Sequence, residues 1–413
     1  MEFDRRTMLG AAATAPLAGR ALSPKVLAGD WEAIARQYNV TREVIQLEHG
    51  NWGMMARPVL ATYHAMNERV NRETSFYARR TMIGDLETVR GQVAATLGVA
   101  TEEIALTRNA TEAMKALILQ YNRLKPGDAV LYADLDYDSM QGSMESLAAR
   151  RGVRVIKIAL PEPATYQGVI DAYDAAFRTN PSIRMVLLTH ASHRIGLIVP
   201  VAEITAMAEA RGIDVIVDAA HSVGQLDFKL PDLKAPFIGL NLHKWFGAPL
   251  GVGAIYIRKD RLDAIDPDPA EDPKNFAITA KVHTGTPGYA AQLSVPDALD
   301  FAAAVGAARR EARLKALRDR WVHALRDHPQ VQIMTPDDPR MYGAITSFRL
   351  RGKTSHEDNV ALAKALLDQH RVFTVHRDGL ASGSCVRVTP ALATWMEDLD
   401  ALAVAVRQIA GKA

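Results

Sequence analysis

From about residue 85 onward, short β-rich apolar runs alternate with longer segments in which apolar residues recur every three to four positions. That alternation predicts parallel strands joined by crossover helices, hence an α/β fold. The first clear case is "EIALTRNATEAMKALILQY": an apolar run at Ile104 to Thr107, a polar turn, then a helix from about Thr111. Further strands are predicted at 128–135 and 153–160, and a strand, helix, strand unit at 183–192, 201–212 and 213–222. "GVGAIYIRK", 251–259, reads as a strand that follows the turn "NLHKW". After Pro296 the pattern becomes a long, heavily charged helical stretch, read as a connecting helix with a solvated face. Beyond it, "GAITSFRL", "HEDNVALAKALLDQH", "RVFTVHR", "SCVRVTP" and a terminal helix predict a smaller α+β unit. The expected organisation is an N-terminal segment at 23–58, a large domain at 59–296 and a small C-terminal domain at 297–413, with no internal repeat.

Composition narrows the partners. The 413 residues, 48% of them hydrophobic, suffice for a large core. With 49 basic against 47 acidic residues the chain lacks the field that a nucleic-acid partner requires, so a small molecule is the default ligand. The single cysteine, Cys385, excludes a disulfide framework within one chain and any thiolate metal cluster, and reads as a buried structural thiol. At the N-terminus, "DRRTMLGAAATAPLAGRAL" joins the pair Arg5 and Arg6 to an alanine-rich, weakly apolar run. It resembles a twin-arginine export signal at residues 1–22, which implies a periplasmic protein exported in its folded state; the alternative is an N-terminal extension on a cytoplasmic one. No other stretch approaches the ~20 apolar residues of a membrane span, so no membrane association is expected once the signal is removed.

Several chemical signatures are missing. There is no GxxxxGK[ST] phosphate loop and no dinucleotide fingerprint, and the spacing of three between His190 and His193 on an extended strand end is poor for a metal, so no metal is expected. In an α/β sheet, ligands sit beyond the carboxyl ends of the strands. That rule selects Asn109, Ala110 and Thr111 at a helix start, where free N–H groups and the helix dipole can hold a phosphate, although Asn109 or Thr111 can equally serve only as a cap. It also selects Asp218, after the apolar "VIV" and ahead of His221, as either a structural acceptor for loop N–H groups or the partner of a cation. Lys244 lies between His243 and Trp245 in an apolar turn, where desolvation lowers the pKa of an amine and frees it as a nucleophile; the plain alternative is a snorkelling surface lysine. Together, a phosphate-holding helix start, an acid at a strand end and a lysine about 25 residues later are what pyridoxal phosphate requires.

At these residues the chain resembles the class V aminotransferase family of fold type I pyridoxal-phosphate enzymes, with "VDAAHSVGQ" and "NLHKW" as the specific motifs. "LEHGNWGMMARPVL" is most similar to the isopenicillin N epimerase-like branch, and an export signal ahead of it is similar to the periplasmic pyoverdine-tailoring type. The resemblance implies a large, mostly parallel mixed-sheet domain with a smaller α+β C-terminal domain, pyridoxal 5'-phosphate as cofactor, and a homodimer. It implies Lys244 as the Schiff-base lysine, Asp218 as the partner of the pyridine nitrogen, and His221 near the phenolic oxygen. Ala110, Thr111 and His243 fall at the phosphate, Tyr137 over the face of the ring, and Arg387 where a guanidinium grips a substrate carboxylate. Gly285 and Thr286, in "HTGTPG", match a loop that reaches the phosphate of the neighbouring subunit. Asn241 stands where many relatives place a serine, Ser192 and His193 where they often have "SN", and the region after "HRDGL", where a desulfurase carries its cysteine, reads "ASGS", with Cys385 later on the presumed strand that leads to Arg387. The implied activity is on the amino group of an amino acid or peptide-like substrate, as an aminotransferase or an epimerase. The alternatives are a lyase or desulfurase, or an inactive ligand-binding member of the fold.

Overall fold

The structure, a computed structural model, describes residues 30–411; the export-signal stretch expected at 1–22 lies outside the described residues. The chain opens with α1 (Trp31–Ala35), β1 (Ile45–Gln46), α2 (Arg57–Arg80) and α3 (Met82–Leu97). Seven strands then build one sheet: β2 (Ile104–Thr107), β3 (Ala129–Ala133), β4 (Arg154–Ile158), β5 (Ile183–Thr189), β6 (Asp214–Asp218), β7 (Phe237–Asn241) and β8 (Gly253–Ile257). Their spatial order is β2-β8-β7-β6-β5-β3-β4, with β8 antiparallel to both neighbours and the other pairs parallel. Helices α4 (Ala110–Leu119), α5 (Asp138–Arg151), α6 (Tyr166–Thr179) and α7 (Val201–Glu209) make the crossovers.

Both faces of this sheet are covered. In β6, Val215 and Val217 join one apolar core while Ile216 joins the other, because side chains alternate across a strand. A strand buried on both faces reads as a continuous apolar run, which is why "VIV" shows no alternation. The expected strands are found, up to four residues shorter at an end except for β2, whose bounds agree. Strand β7 was not foreseen. Its central Gly239 breaks the apolar run, and the packing requires that glycine: an added Cβ would lie 2.7 Å from the Met114 side chain of α4.

The C-terminal part comprises α8 (Tyr289–Leu293), α9 (Val295–Val305), α10 (Ala307–Leu325), β9 (Val331–Ile333), β10 (Thr346–Leu350), α11 (His356–His370), β11 (Val372–Phe373), β12 (Val375–Leu380), β13 (Gly383–Val388) and α12 (Met396–Ala410). A four-stranded sheet runs β12-β13-β10-β9, and the N-terminal strand β1 pairs in parallel with β11, tying residues 45–46 to this part of the molecule. The expected solvated connecting helix is corrected in two respects. It is two helices, broken at Gly306 with φ +86°, and α10 buries Leu314, Leu317, Trp321, Val322 and Leu325. Arginines hid that stripe in the sequence, and two of them are themselves buried. Arg318 lies 3.9 Å from the Tyr342 ring centroid and donates to Thr346 Oγ1 at 3.2 Å.

Strand β8 packs against the start of α4 with no space for a side chain. A Cβ on Gly253 would lie 2.6 Å from the Leu240 carbonyl oxygen and 2.7 Å from the Asn109 carbonyl carbon, and backbone cannot yield as a side-chain tip can. Gly253→Ala is therefore expected to lose about 1–3 kcal/mol, read as a lower urea midpoint at unchanged m value. Gly142, inside α5 with open space around it, is the control: Gly142→Ala should gain about 0.5–1 kcal/mol.

Candidate active site

Strands β5, β6 and β7 end side by side, and their carboxyl ends open into a cavity of about 760 Å³. Asp218 is the last residue of β6. Asn241 ends β7, and the chain turns at once through His243 and Lys244. The fully buried neighbours of these strands fix where the side chains emerge. The turn itself is held from two sides: Leu242 N–H and His243 N–H both donate to the Val252 carbonyl, and Gly53 N–H donates to the His243 carbonyl at 3.0 Å. Segment 50–53 lies so close to Lys244 that a Cβ on Gly53 would fall 1.7 Å from the Lys244 carbonyl oxygen.

Lys244 reaches into the cavity, where its Nζ lies 2.9 Å from His221 Nε2. Burial lowers its pKa to about 8, with Asp218 opposing and Arg387 assisting that shift. Burial likewise holds the His221 imidazole well below its ordinary pKa, and the Lys244 charge adds to the effect. His221 is thus neutral and accepts from the amine at Nε2, which leaves its Nδ1 buried without a partner. Asp218 is buried; desolvation raises its pKa, while a hydrogen bond from Ala220 N–H (2.9 Å) and the Lys244 charge work the other way. A buried carboxylate with one short backbone donor is a group prepared for a cation.

Across the cavity stands the start of α4. Asn109 caps it, its Oδ1 accepting from Glu112 N–H at 2.9 Å. Asn241 Oδ1 accepts from Ala110 N–H at 2.8 Å, so that donor is already used by the residue that replaces the serine of many relatives. Thr111 lines the cavity, and its N–H is the first-turn donor left without a protein partner among the described residues. His243 also lines it and donates Nδ1–H to the Val252 carbonyl at 2.8 Å, which sets its other nitrogen free. Tyr137 is 38% exposed and meets the His193 ring edge-on at 5.1 Å. His190 does not join the site: its ring packs on Phe228 at 5.0 Å, whereas His193 lines the cavity.

Arg387, on β13, lines the same cavity, but its guanidinium already has protein partners. Nη1 donates to the His193 carbonyl at 2.6 Å and Nη2 to Glu48 Oε1. Glu48, Arg194, Arg377 and Asp138 also meet at the site and are not among the residues that the sequence singles out. Glu48 stands between Leu47 and His49, and that local pattern carries no signal of its role. The others are set by tertiary contacts between segments more than fifty residues apart. Gly285 and Thr286 are exposed on the loop before α8 and do not line the cavity of this chain. Cys385 is fully buried, and desolvation pushes its thiol up to about 11.

Known proteins resemble this chain over most of its length. The chain is 28% identical over 400 residues to isopenicillin N epimerase of Streptomyces clavuligerus, which covers 93% of this chain and 99% of that one. It is 26% identical over 310 residues to a cysteine desulfurase of Haloferax volcanii, covering 71% of each. Among solved structures, a C-DES variant with glycine covalently linked to its PLP cofactor superposes with a TM-score of 0.76 at 21% identity, over 91% of this chain and 98% of that one. The profile of the class-V aminotransferases matches residues 57–402. The chain belongs to the class-V aminotransferase family, with the α/β architecture of fold type I and pyridoxal 5'-phosphate as its cofactor.

Proposed function

We propose that the protein acts on the amino group of an amino acid or peptide-like substrate, moving a proton at the adjacent carbon, in the manner of an aminotransferase or an epimerase. The observation that carries this reading is the Lys244 amine, near-neutral in pKa and 2.9 Å from a neutral histidine, at the ends of adjacent buried strands.

The residues fit the cofactor. The unpartnered Thr111 N–H and the free nitrogen of His243 suit a phosphate; Asp218 suits a protonated ring nitrogen, and the orphaned His221 Nδ1 is a further polar atom awaiting a partner. Tyr137 and His193 offer rings for one face. When bound, pyridoxal phosphate supplies an aldehyde that condenses with amines and an aromatic ring that accepts an electron pair. Lys244 is placed to take up the cofactor through Nζ and, once displaced by a substrate amine, to accept a proton at the same atom. His221 orients that amine. Asp218 would hold a protonated ring nitrogen of the cofactor, in a low-dielectric setting where such a pair is strong.

Relatives catalyse different reactions, so the choice among them needs an observation of this chain. A desulfurase needs a reactive thiolate that reaches the substrate, and Cys385 is fully buried on β13 with a raised pKa. This favours transamination or epimerisation over desulfuration. Incubating the holoenzyme with a panel of amines and scoring oxo product, inverted amine or released sulfide separates the reactions; oxo product or inversion is expected. Cys385→Ala should retain activity per cofactor-loaded molecule within about twofold, whereas a loss of a hundredfold or more would make the thiol the nucleophile and the reading wrong.

The depressed Lys244 pKa gives a pH prediction with a definite sign. Only the neutral amine attacks a carbonyl, so capture of pyridoxal phosphate by the apoprotein should accelerate as pH rises, with a midpoint near 8. A midpoint near that of an ordinary lysine, above 10, would contradict the burial assigned here. Stopped-flow absorbance across a pH series reads the rate directly.

A further inference from the structure

At the rim of the cavity, away from the lysine, three side chains that can ligate a metal converge. His376 and Asp378 lie two apart on β12, where alternate residues share a face, and both line the cavity. His356, the first residue of α11, completes the group. One ligand atom from each residue can be chosen so that all lie within 4.8 Å of one another. His356 and Asp378 are 22 positions apart, so no local spacing announces the group, and the absence of a metal expected from the spacing of His190 and His193 does not bear on it.

The distances are those of ligands around an ion more than those of a closed hydrogen-bond network. His356 Nδ1 stands 3.2 Å and 3.1 Å from the two oxygens of Asp378, directed at neither in preference. His376 Nε2 lies 3.7 Å from Asp378 Oδ2, beyond hydrogen-bond reach, and the two imidazoles meet edge to face at 4.8 Å. In a tetrahedral zinc site, bonds of about 2.0–2.2 Å set neighbouring ligand atoms roughly 3.3–3.5 Å apart. Small side-chain rotations therefore bring all three atoms onto one centre. Asp378 Oδ1 accepts from Ser384 Oγ at 2.6 Å, which leaves Oδ2 as the ligand oxygen and supports the carboxylate from behind.

The backbone around the group is held. Ser384 N–H donates to the Thr354 carbonyl at 2.7 Å, and Asn359 Nδ2 donates to the carbonyls of Lys353 at 3.2 Å and Ser355 at 2.9 Å, which pins the start of α11 beside the β12–β13 hairpin. The pairing of β12 with β13 shifts between Arg377 and Leu380, so Asp378 lies in an irregularity that can re-aim its side chain. Gly379, with φ +93°, rests on Arg194, where a Cβ would collide with the guanidinium.

We propose that His356, His376 and Asp378 form a binding site for a divalent transition-metal ion of the zinc class at the rim of the cavity. Two imidazoles and one carboxylate suit zinc and its neighbours, whereas magnesium and calcium favour sets made of oxygen. Three protein ligands leave a coordination position for water or for a donor atom of a molecule entering the cavity. The site stands on its own residues and does not depend on the chemistry proposed at Lys244.

The test loads metal-stripped, tag-free holoenzyme with zinc chloride in a non-chelating buffer and measures bound zinc by equilibrium dialysis. One zinc per chain is expected at this site, and magnesium in about hundredfold excess should not displace it. In His376→Ala and in Asp378→Asn, half-saturation should need at least about tenfold more zinc. His323→Ala, which alters an exposed histidine of α10, should leave the affinity unmoved. Zinc-edge X-ray absorption of the loaded wild type needs no variant to fold, and should show two imidazole ligands. A wild type that binds no zinc overturns the proposal and leaves the trio as a hydrogen-bonded pair with a neighbouring histidine. Zinc that binds with the same affinity in His376→Ala and Asp378→Asn, or with fewer than two imidazoles in the absorption spectrum, sits elsewhere and overturns it equally.

Discussion

An amine held out of water is the constraint on which the rest of this structure depends. Lys244 sits where two adjacent strands end, beside a neutral histidine and a buried aspartate, and desolvation brings its pKa down to about 8. Leaving an amine in such a place is unfavourable unless its surroundings are rigid enough to keep water out and near enough to offer a hydrogen bond. The seven-stranded sheet provides the rigidity, since β5, β6 and β7 are packed on both faces. Segment 50–53 closes the remaining side, its glycine pressed against the backbone of the lysine turn. Because β1 pairs with β11, that closure ties the N-terminal segment to the C-terminal part, and the cavity forms where the two meet the sheet.

Relatives of this chain are named as an isopenicillin N epimerase, a cysteine desulfurase and a putative L-cysteine desulfhydrase, so membership of the family does not choose the reaction. In this chain the only cysteine is in the core, and the arginine of β13 is paired with Glu48.

What could be read from the sequence followed from periodicity and from strand-end position. Lys244, Asp218, His221 and Thr111 were all legible, because ligands of open α/β sheets collect at carboxyl ends and each of these follows an apolar run. Strand β7 escaped because Gly239, required by the approach of Met114, interrupts its pattern. The buried face of α10 escaped because Arg310 and Arg318 are inside it, each over an aromatic ring and carrying charge that reads as solvated. Pairings such as Arg387 with Glu48 join residues 339 positions apart, and no local pattern encodes them. Asn241 was seen as a departure from relatives; its use, as acceptor for Ala110 N–H, needed coordinates.

The central claim is that Lys244 is the amine that carries the cofactor. The most direct measurement is the visible absorption spectrum of the purified protein before and after borohydride, with Lys244→Ala alongside. The account predicts a cofactor band in the wild type that borohydride converts into a covalent adduct mapped to Lys244, and no adduct in the variant. A wild type that stays colourless after incubation with pyridoxal phosphate, or an adduct that persists in Lys244→Ala, would contradict it.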